Sequence, residues 1–379
     1  MSFFITTLYP SVDLIDASVF EEINAKKNVY FSKQFLKAFE VSNPQIEFKY
    51  IAVFDANQNT IALALVQIIG LNVEGMLKNI KVAPLVRKFL SLFFYNEHIK
   101  IMFCGNVFLS GEHGICTSKS ISTEVIMTEI GTALDAVAAN SKPLHAIFIK
   151  DFKTESLKNT RQFLNFGYSE IKVEPNMIIQ LKPEWKTFED YKNVLKSKYR
   201  VKANKADSTS STLETRLFNA QDLVTYKGEL QALYQNTIAN ASFNAQVLNL
   251  NTYSHLGSTL KEDFIVKAYF LDDKLVGFLT ALVNKNHLDA HFIGLDYALN
   301  KSHAIYTRIL NDYVRLGIEK RVSSINLGRT ASEIKTTIGA KPLELSCYIK
   351  HKNPFINSLI TPFLRRIKIK DFKQHSPFK

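Results

Sequence analysis

INLGRTASEIKTTIGA, Ile325 to Ala340, reads as a strand that stops at a glycine and turns straight into a helix. Thr330 and Glu333 have capping-box spacing: the hydroxyl takes the amide of residue 333, and the carboxylate returns to the amide of residue 330. Gly339 falls where a helix closing on a left-handed residue favours glycine. Arg329 occupies the corner, and its planar fork suits a phosphate or a carboxylate. The competing reading of Arg329 is a surface residue paired with an acid. Side chains alternate along a strand, so Ser324, Asn326 and Gly328 share one face, opposite Ile325 and Leu327. An unpaired buried amide costs roughly 1–3 kcal/mol, so Asn326 needs a partner from the protein or from a ligand.

The elements before this corner follow an order that occurs twice. In the second half, FIVKAYFL and LVGFLTALV flank the turn DDK. HLDAHFIGLDY is the next strand, AIYTRILNDYVRLG a helix closed by Gly317, and LELSCYIKH the last strand after the corner. In the first half, FKYIAVFD and TIALALVQIIG flank ANQN, then IKIMFCGNVFL, the helical STEVIMTEIGTALDAVAAN, LHAIFIKDF, the short helix ESLKNTRQFLNFG and the strand MIIQL. Periods near 3.6 and 2 alternate in this way in α/β (α+β) proteins, so each unit is expected to be a mixed twisted sheet flanked by helices. A chain of 379 residues suits two such units. The boundaries read 1–183 for the first, 184–211 for a basic connecting helix with the polar linker ADSTSST, 212–352 for the second, and 353–379 for a basic tail.

An apolar fraction of 46% is ample for burial, which excludes a disordered chain. Cys104, Cys116 and Cys347 form no C-x-x-C pair, so neither a disulfide framework nor a metal site is expected, and a reducing cytoplasm fits. MSFFITTLYPSVDLID lacks the basic start and apolar run of a signal peptide. The net charge of +12 favours anionic partners. It concentrates in KNVLKSKYRVKANKA and in RRIKIKDFKQHSPFK. In the first run Tyr199 and Arg200 are candidate phosphate ligands, with RNA or anionic lipid as the wider alternative and a solvated face as the plain one. The stretch NPFINSLITPFLRRIKIKDF, broken by Pro354 and Pro362, reads as a helix packed on the second unit, with weak peripheral contact at the inner membrane face as the alternative.

Three segments carry a family resemblance: FEDYKNVLKSKYRVKANKA, GFLTALVNKNHLDAHFIGLDY and INLGRTASEIKTTIGAKPLELSCYIKH. The order of elements resembles the acetyltransferase fold of the GNAT superfamily, and the tandem arrangement resembles the Fem-type aminoacyltransferases of peptidoglycan biosynthesis. The resemblance covers most of residues 186–351. It implies acyl transfer from acyl-CoA to an amine or, in the Fem-type branch, from aminoacyl-tRNA to a cell-envelope precursor. A binding module on a degenerate scaffold is the alternative of another class. The resemblance also implies a cleft where the strand ending at Asn326 splays from its neighbour. Coenzyme A pyrophosphate would lie in the loop ALNKSHAIY. There Lys301, Ser302 and His303 are candidate contacts, although no glycine lies between Gly294 and Gly317 to let the backbone approach closely.

Amine attack on an acyl carbon needs a proton acceptor. His287, Asp289 and His291 share a face of HLDAHFIGLDY, so Asp289 and His291 are read as a base and its orienter, against the alternative of a polar sheet face. Asn326 and Arg329 complete the expected site. In the first half CGNVFLSGEHG holds three glycines beside Asn106, Ser110, Glu112 and His113; Asn106, Ser110 and Glu112 are candidate substrate contacts, against a simple turn.

Overall fold

In a computed structural model, residues 4–23, 28–72, 98–118, 121–240, 246–364, 366 and 369–379 are described. The first half contains β1 (Ile5–Tyr9), α1 (Ala17–Glu22), α2 (Lys33–Ser42), β2 (Glu47–Phe54), β3 (Thr60–Asn72), β4 (His98–Cys104), β5 (Ile115–Thr117), α3 (Thr123–Asn140), β6 (Ala146–Lys153), α4 (Leu157–Thr160) and β7 (Ser169–Gln180). Two helices follow, α5 (Phe188–Val194) and α6 (Ser197–Thr209). The second half contains β8 (Glu214–Leu217), α7 (Ala220–Thr225), α8 (Lys227–Ala239), α9 (Asn251–Leu260), β9 (Phe264–Leu271), β10 (Lys274–Asn284), β11 (His287–Leu295), α10 (Tyr297–His303), α11 (Ile305–Glu319), β12 (Ser324–Asn326), α12 (Ser332–Thr336), β13 (Lys341–His351) and α13 (Pro354–Leu364).

The fold is α/β, and one sheet runs through both halves in the order β1-β2-β3-β4-β6-β13-β7-β12-β11-β10-β9-β8, with β5 beside β3. Only β4/β6 and β11/β12 pair in parallel among the described residues. Each half ends by giving its last strand away. β13 inserts between β6 and β7 of the first half, pairing Tyr348 with Ile149 and Leu345 with Val173. β7 in turn pairs Ile179 with Ile325 of β12. The halves are therefore interlocked by backbone hydrogen bonds.

Burial explains why these segments are strands. Ile61 to Leu65 of β3 and Phe278, Leu279, Ala281 and Leu282 of β10 are at most 2% exposed, so both faces of the central sheet are covered. Helix α11 presents Ile305, Ile309, Tyr313 and Val314 to one core. Gly317 lies inside that helix, which continues to Glu319, and does not close it. A Cβ there would stand 2.6 Å from Ile325 Cδ1, so the glycine permits close helix–sheet approach. ADSTSST is not a linker throughout, because α6 runs to Thr209. Pro354 opens α13 and Pro362 lies within it, so neither proline breaks that helix. Arg365, Ile367 and Lys368 of the basic tail lie outside the described residues. Among the described residues no helix is long and apolar enough to cross a membrane.

Candidate active site

The ladder between β11 and β12 ends at Asp289 opposite Asn326. Beyond it the chain leaves β11 and keeps to β7: Leu327 N donates to Met177 O (2.8 Å), and Met177 N donates to Gly328 O (3.1 Å). β11 continues along β10 through a bulge, where the register steps from Ala281–Ala290 to Leu279–Ile293. The bulge brings the rings of His291 and Phe292 to 4.3 Å, as expected where a strand is re-aimed. Two edges of the sheet thus part beside Asn326.

The corner after Asn326 is held by a lysine and not by a capping box. Thr330 (φ 62°) and Ala331 (φ 46°) are left-handed, and α12 starts at Ser332 without a side-chain cap. Glu333 instead faces His375 Nε2 at 3.4 Å. Lys335 Nζ, buried, donates to Leu327 O (2.7 Å), Gly328 O (3.4 Å) and Arg329 O (2.6 Å). Burial pushes its pKa down to about 7. Gly339 is left-handed (φ 92°), as the turn requires. Asn326 Oδ1 accepts from Gly328 N at 2.9 Å, while its Nδ2 makes no hydrogen bond among the described residues.

The first half supplies the opposite wall, the loop from Gly105 to Gly114. Lys150 Nζ pins it by donating to Asn106 O (3.1 Å) and Leu109 O (3.0 Å), and Asn176 Nδ2 donates to Ser110 O (3.1 Å). Asp151, fully buried, accepts from Gly111 N (3.1 Å) and Cys347 Sγ (3.2 Å) and is bonded by the Arg329 guanidinium. Burial opposes its charge, but Lys150 and Arg329 outweigh it and hold the carboxyl below its ordinary value. Arg329 therefore ties the corner to the first half. Ser110 Oγ faces Gly328, 3.8 Å from where a Cβ would stand. Glu112 turns away, accepting from Ser156 Oγ (2.8 Å) and Lys153 N (3.4 Å).

Three further groups face this junction. Tyr30 donates its hydroxyl proton to Asp289, and its ring lies 4.0 Å from that of His113. His113 makes no side-chain hydrogen bond among the described residues. Burial lowers its pKa; Asp289 and Asp151 oppose that, and Lys153 and Lys150 add to it, so the imidazole is neutral at pH 7. His291 is committed on both nitrogens. Its Nε2 meets Phe108 O (3.0 Å) and its Nδ1 meets Tyr253 OH (2.9 Å). A carbonyl only accepts, which assigns the proton to Nε2 and makes Tyr253 the donor to Nδ1. Burial pushes the His291 pKa down to about 4. This histidine clamps the loop of one half to the strand of the other, and it has no lone pair to spare as a base.

Among the described residues, several buried polar atoms around the same loop have no partner: Gln67 Nε2, Asn106 Nδ2, Asn176 Oδ1 and Arg329 Nε. Gln67 Oε1 already accepts from Val107 N (2.7 Å), and Asn106 Oδ1 from Phe108 N (2.9 Å). Such a concentration of unsatisfied groups is unusual in a folded interior.

The expected phosphate loop is built differently. ALNKSHAIY is mostly helix α10, capped by Asp296, whose Oδ1 accepts from Ala298 N (2.9 Å) and Leu299 N (3.4 Å). At the start of α11, Tyr306 N already donates to Asn300 Oδ1 (2.9 Å). Ser302 Oγ turns back to Leu299 O, His303 meets Thr212 Oγ1, and Lys301 is exposed. Tyr199 and Arg200 lie on α6, remote in sequence from the corner; Tyr199 OH meets His375 Nδ1 at 3.3 Å, and Lys198 and Lys202 stand over its ring.

Asp289, His291, Asn326, Arg329, Asn106 and Ser110 thus converge at one junction, whereas Lys301, Ser302 and His303 lie on α10, and Tyr199 reaches only the far side of α12 through His375, which meets Glu333. Sequence reading missed Tyr30, Lys335 and Asp151 and left His113 without a role. Only His113 had a visible signal, its place within the glycine-bounded stretch.

Two halves, each a mixed set of strands flanked by helices, share one continuous sheet, and this arrangement is like that of solved tandem GNAT and Fem proteins. Among solved structures the chain is similar to FemX (TM-score 0.57, 10% identity, covering 92% of this chain and 99% of that one). It is also similar to L-PGS from Bacillus licheniformis (0.51, 10%, 93% and 98%) and to a tandem GNAT protein from the clavulanic acid biosynthesis pathway (0.50, 6%, 93% and 99%). No protein-family model and no curated protein matches the chain. At such identities the likeness is one of fold.

Proposed function

We propose that the chain is an N-acyltransferase whose reaction takes place where β11 and β12 part, with both halves contributing. The observation that carries this is two polar groups beside the parted strands that make no hydrogen bond among the described residues, Asn326 Nδ2 at the end of β12 and the His113 imidazole in the first-half loop. The amine nitrogen attacks the acyl carbon, a C–N bond forms, and the bond to the leaving oxygen or sulfur breaks. His113 takes the ammonium proton and returns one to the leaving group, while Asn326 steadies the carbonyl oxygen. The Tyr30 ring, held by its hydroxyl bond to Asp289, packs against the imidazole.

The donor we propose is an aminoacyl ester carried on tRNA, in preference to acyl-CoA. The amide that would meet a pyrophosphate at the start of α11 is taken by Asn300, and the carboxylate of Asp296 lies nearby in the chain. Helix α6 meanwhile displays Lys198, Arg200, Lys202 and Lys205, which make no ion pair among the described residues. The acceptor is an amine of a cell-envelope precursor, small or lipid-linked.

Two measurements test this. Binding of aminoacyl-tRNA should weaken steeply with salt, and acetyl-CoA should give no calorimetric heat at millimolar concentration; the reverse pattern makes acyl-CoA the donor. With the donor known, His113→Asn should slow transfer about 10²-fold or more, and Asn326→Ala about 10²-fold, at unchanged melting temperature. Full activity in both variants would falsify the site.

A further inference from the structure

Helix α13 packs inward through Ile360, which is 6% exposed, and through polar contacts. Two of its polar residues are bonded to the sheet side: Asn357 Nδ2 donates to Gly167 O (2.8 Å), Asn357 Oδ1 accepts from His351 N (2.9 Å), and Thr361 Oγ1 meets Ser169 Oγ (3.2 Å). Its outward stripe is Phe355, Leu359 and Phe363, at i, i+4 and i+8, exposed by 72%, 38% and 41%. None of the helix's 11 residues is charged. A helix face open to water is ordinarily polar, and this one is apolar. Of the residues just beyond it, Arg366, Lys370 and Lys373 are exposed. Lys350 and Lys352 line a cavity of about 470 Å³ on its inner side.

We infer that α13 is a docking face for an anionic phospholipid surface, lying in the plane of the bilayer with Phe355 and Leu359 among the acyl chains. An apolar stripe alone does not name its partner; the charge does. Cations follow the stripe directly in the chain, and the protein as a whole carries +12, which matches an acidic lipid surface. The helix is about 16 Å long at its ordinary rise, too short to span a bilayer and suited to lying on one. The inference stands apart from the proposed reaction, since it uses none of the residues at the β11/β12 junction.

The test is flotation of the full chain with vesicles of phosphatidylcholine alone or containing about 30% phosphatidylglycerol. The chain should float with the anionic vesicles and about tenfold less with neutral ones. Phe355→Ser with Leu359→Ser should reduce that flotation about tenfold or more at an unchanged melting temperature. A milder Leu359→Ser variant with an intermediate loss guards against misfolding of the double variant. Absence of flotation at low salt, or equal flotation of wild type and double variant, overturns the inference. A dimer in light scattering that the double substitution abolishes would assign the stripe to a second copy and overturn it equally.

Discussion

His291 shows how far a residue's neighbours decide its chemistry. From alternation along its strand it looked like a base, yet Phe108 O and Tyr253 OH occupy both of its nitrogens. Its cost appears in acid. The folded-state pKa is about 4, below the ordinary 6.5, so the unfolded chain binds a proton first as pH falls. Stability from this group is complete above pH 6.5 and is lost progressively down to pH 4. Between pH 7 and pH 5 the loss should be about 2 kcal/mol, and His113 and His351, also shifted downward, act in the same sense. Urea titrations at the two pH values measure it. His291→Asn should flatten the dependence while lowering stability at pH 7, and an unchanged pH slope in that variant would contradict the clamp.

At the scale of elements, strand and helix periods were readable because the buried runs are long and uniform: FIVKAYFL is β9 to the residue, and Gly339 is left-handed as its position implied. The capping box was misread because Thr330 and Ala331 both adopt positive φ, which swings the hydroxyl out of reach of the helix amides. What replaces it, Lys335 reaching back to three carbonyls, has no local sequence signature, since the contact depends on where the strand lands after leaving β11. Lys335→Met should cost about 2–4 kcal/mol, because it strands those carbonyls in a buried corner. It should lower transfer more than thermal stability alone explains, by loosening Asn326 and Arg329. Chemical denaturation alongside single-turnover assays separates the two effects. The convergence of CGNVFLSGEHG with INLGRT was likewise invisible, because it is made by two segments more than 200 residues apart.

The whole molecule differs from the expected pair of sheets in one respect that matters. Each half was legible, but the exchange of β7 and β13 was not, since a strand's sequence records its burial and not its neighbour. With backbone bonds running from β6 through β13 and β7 to β12, the halves should unfold together. Calorimetry should show one transition whose calorimetric and van't Hoff enthalpies agree. A chain ending at residue 340 should lose both halves at once, and two separable transitions in the full chain would show the interlock to be weak.

The same exchange sets a timetable for biosynthesis. When β6 leaves the ribosome, the strand that must lie beside it is still nearly two hundred codons away. At about 5–20 residues per second that is a wait of roughly 10–40 s with an open, apolar strand edge. Newly made chains should therefore depend on holding chaperones more than their final stability suggests, and stalling late in the message should harm the first half as much as the last.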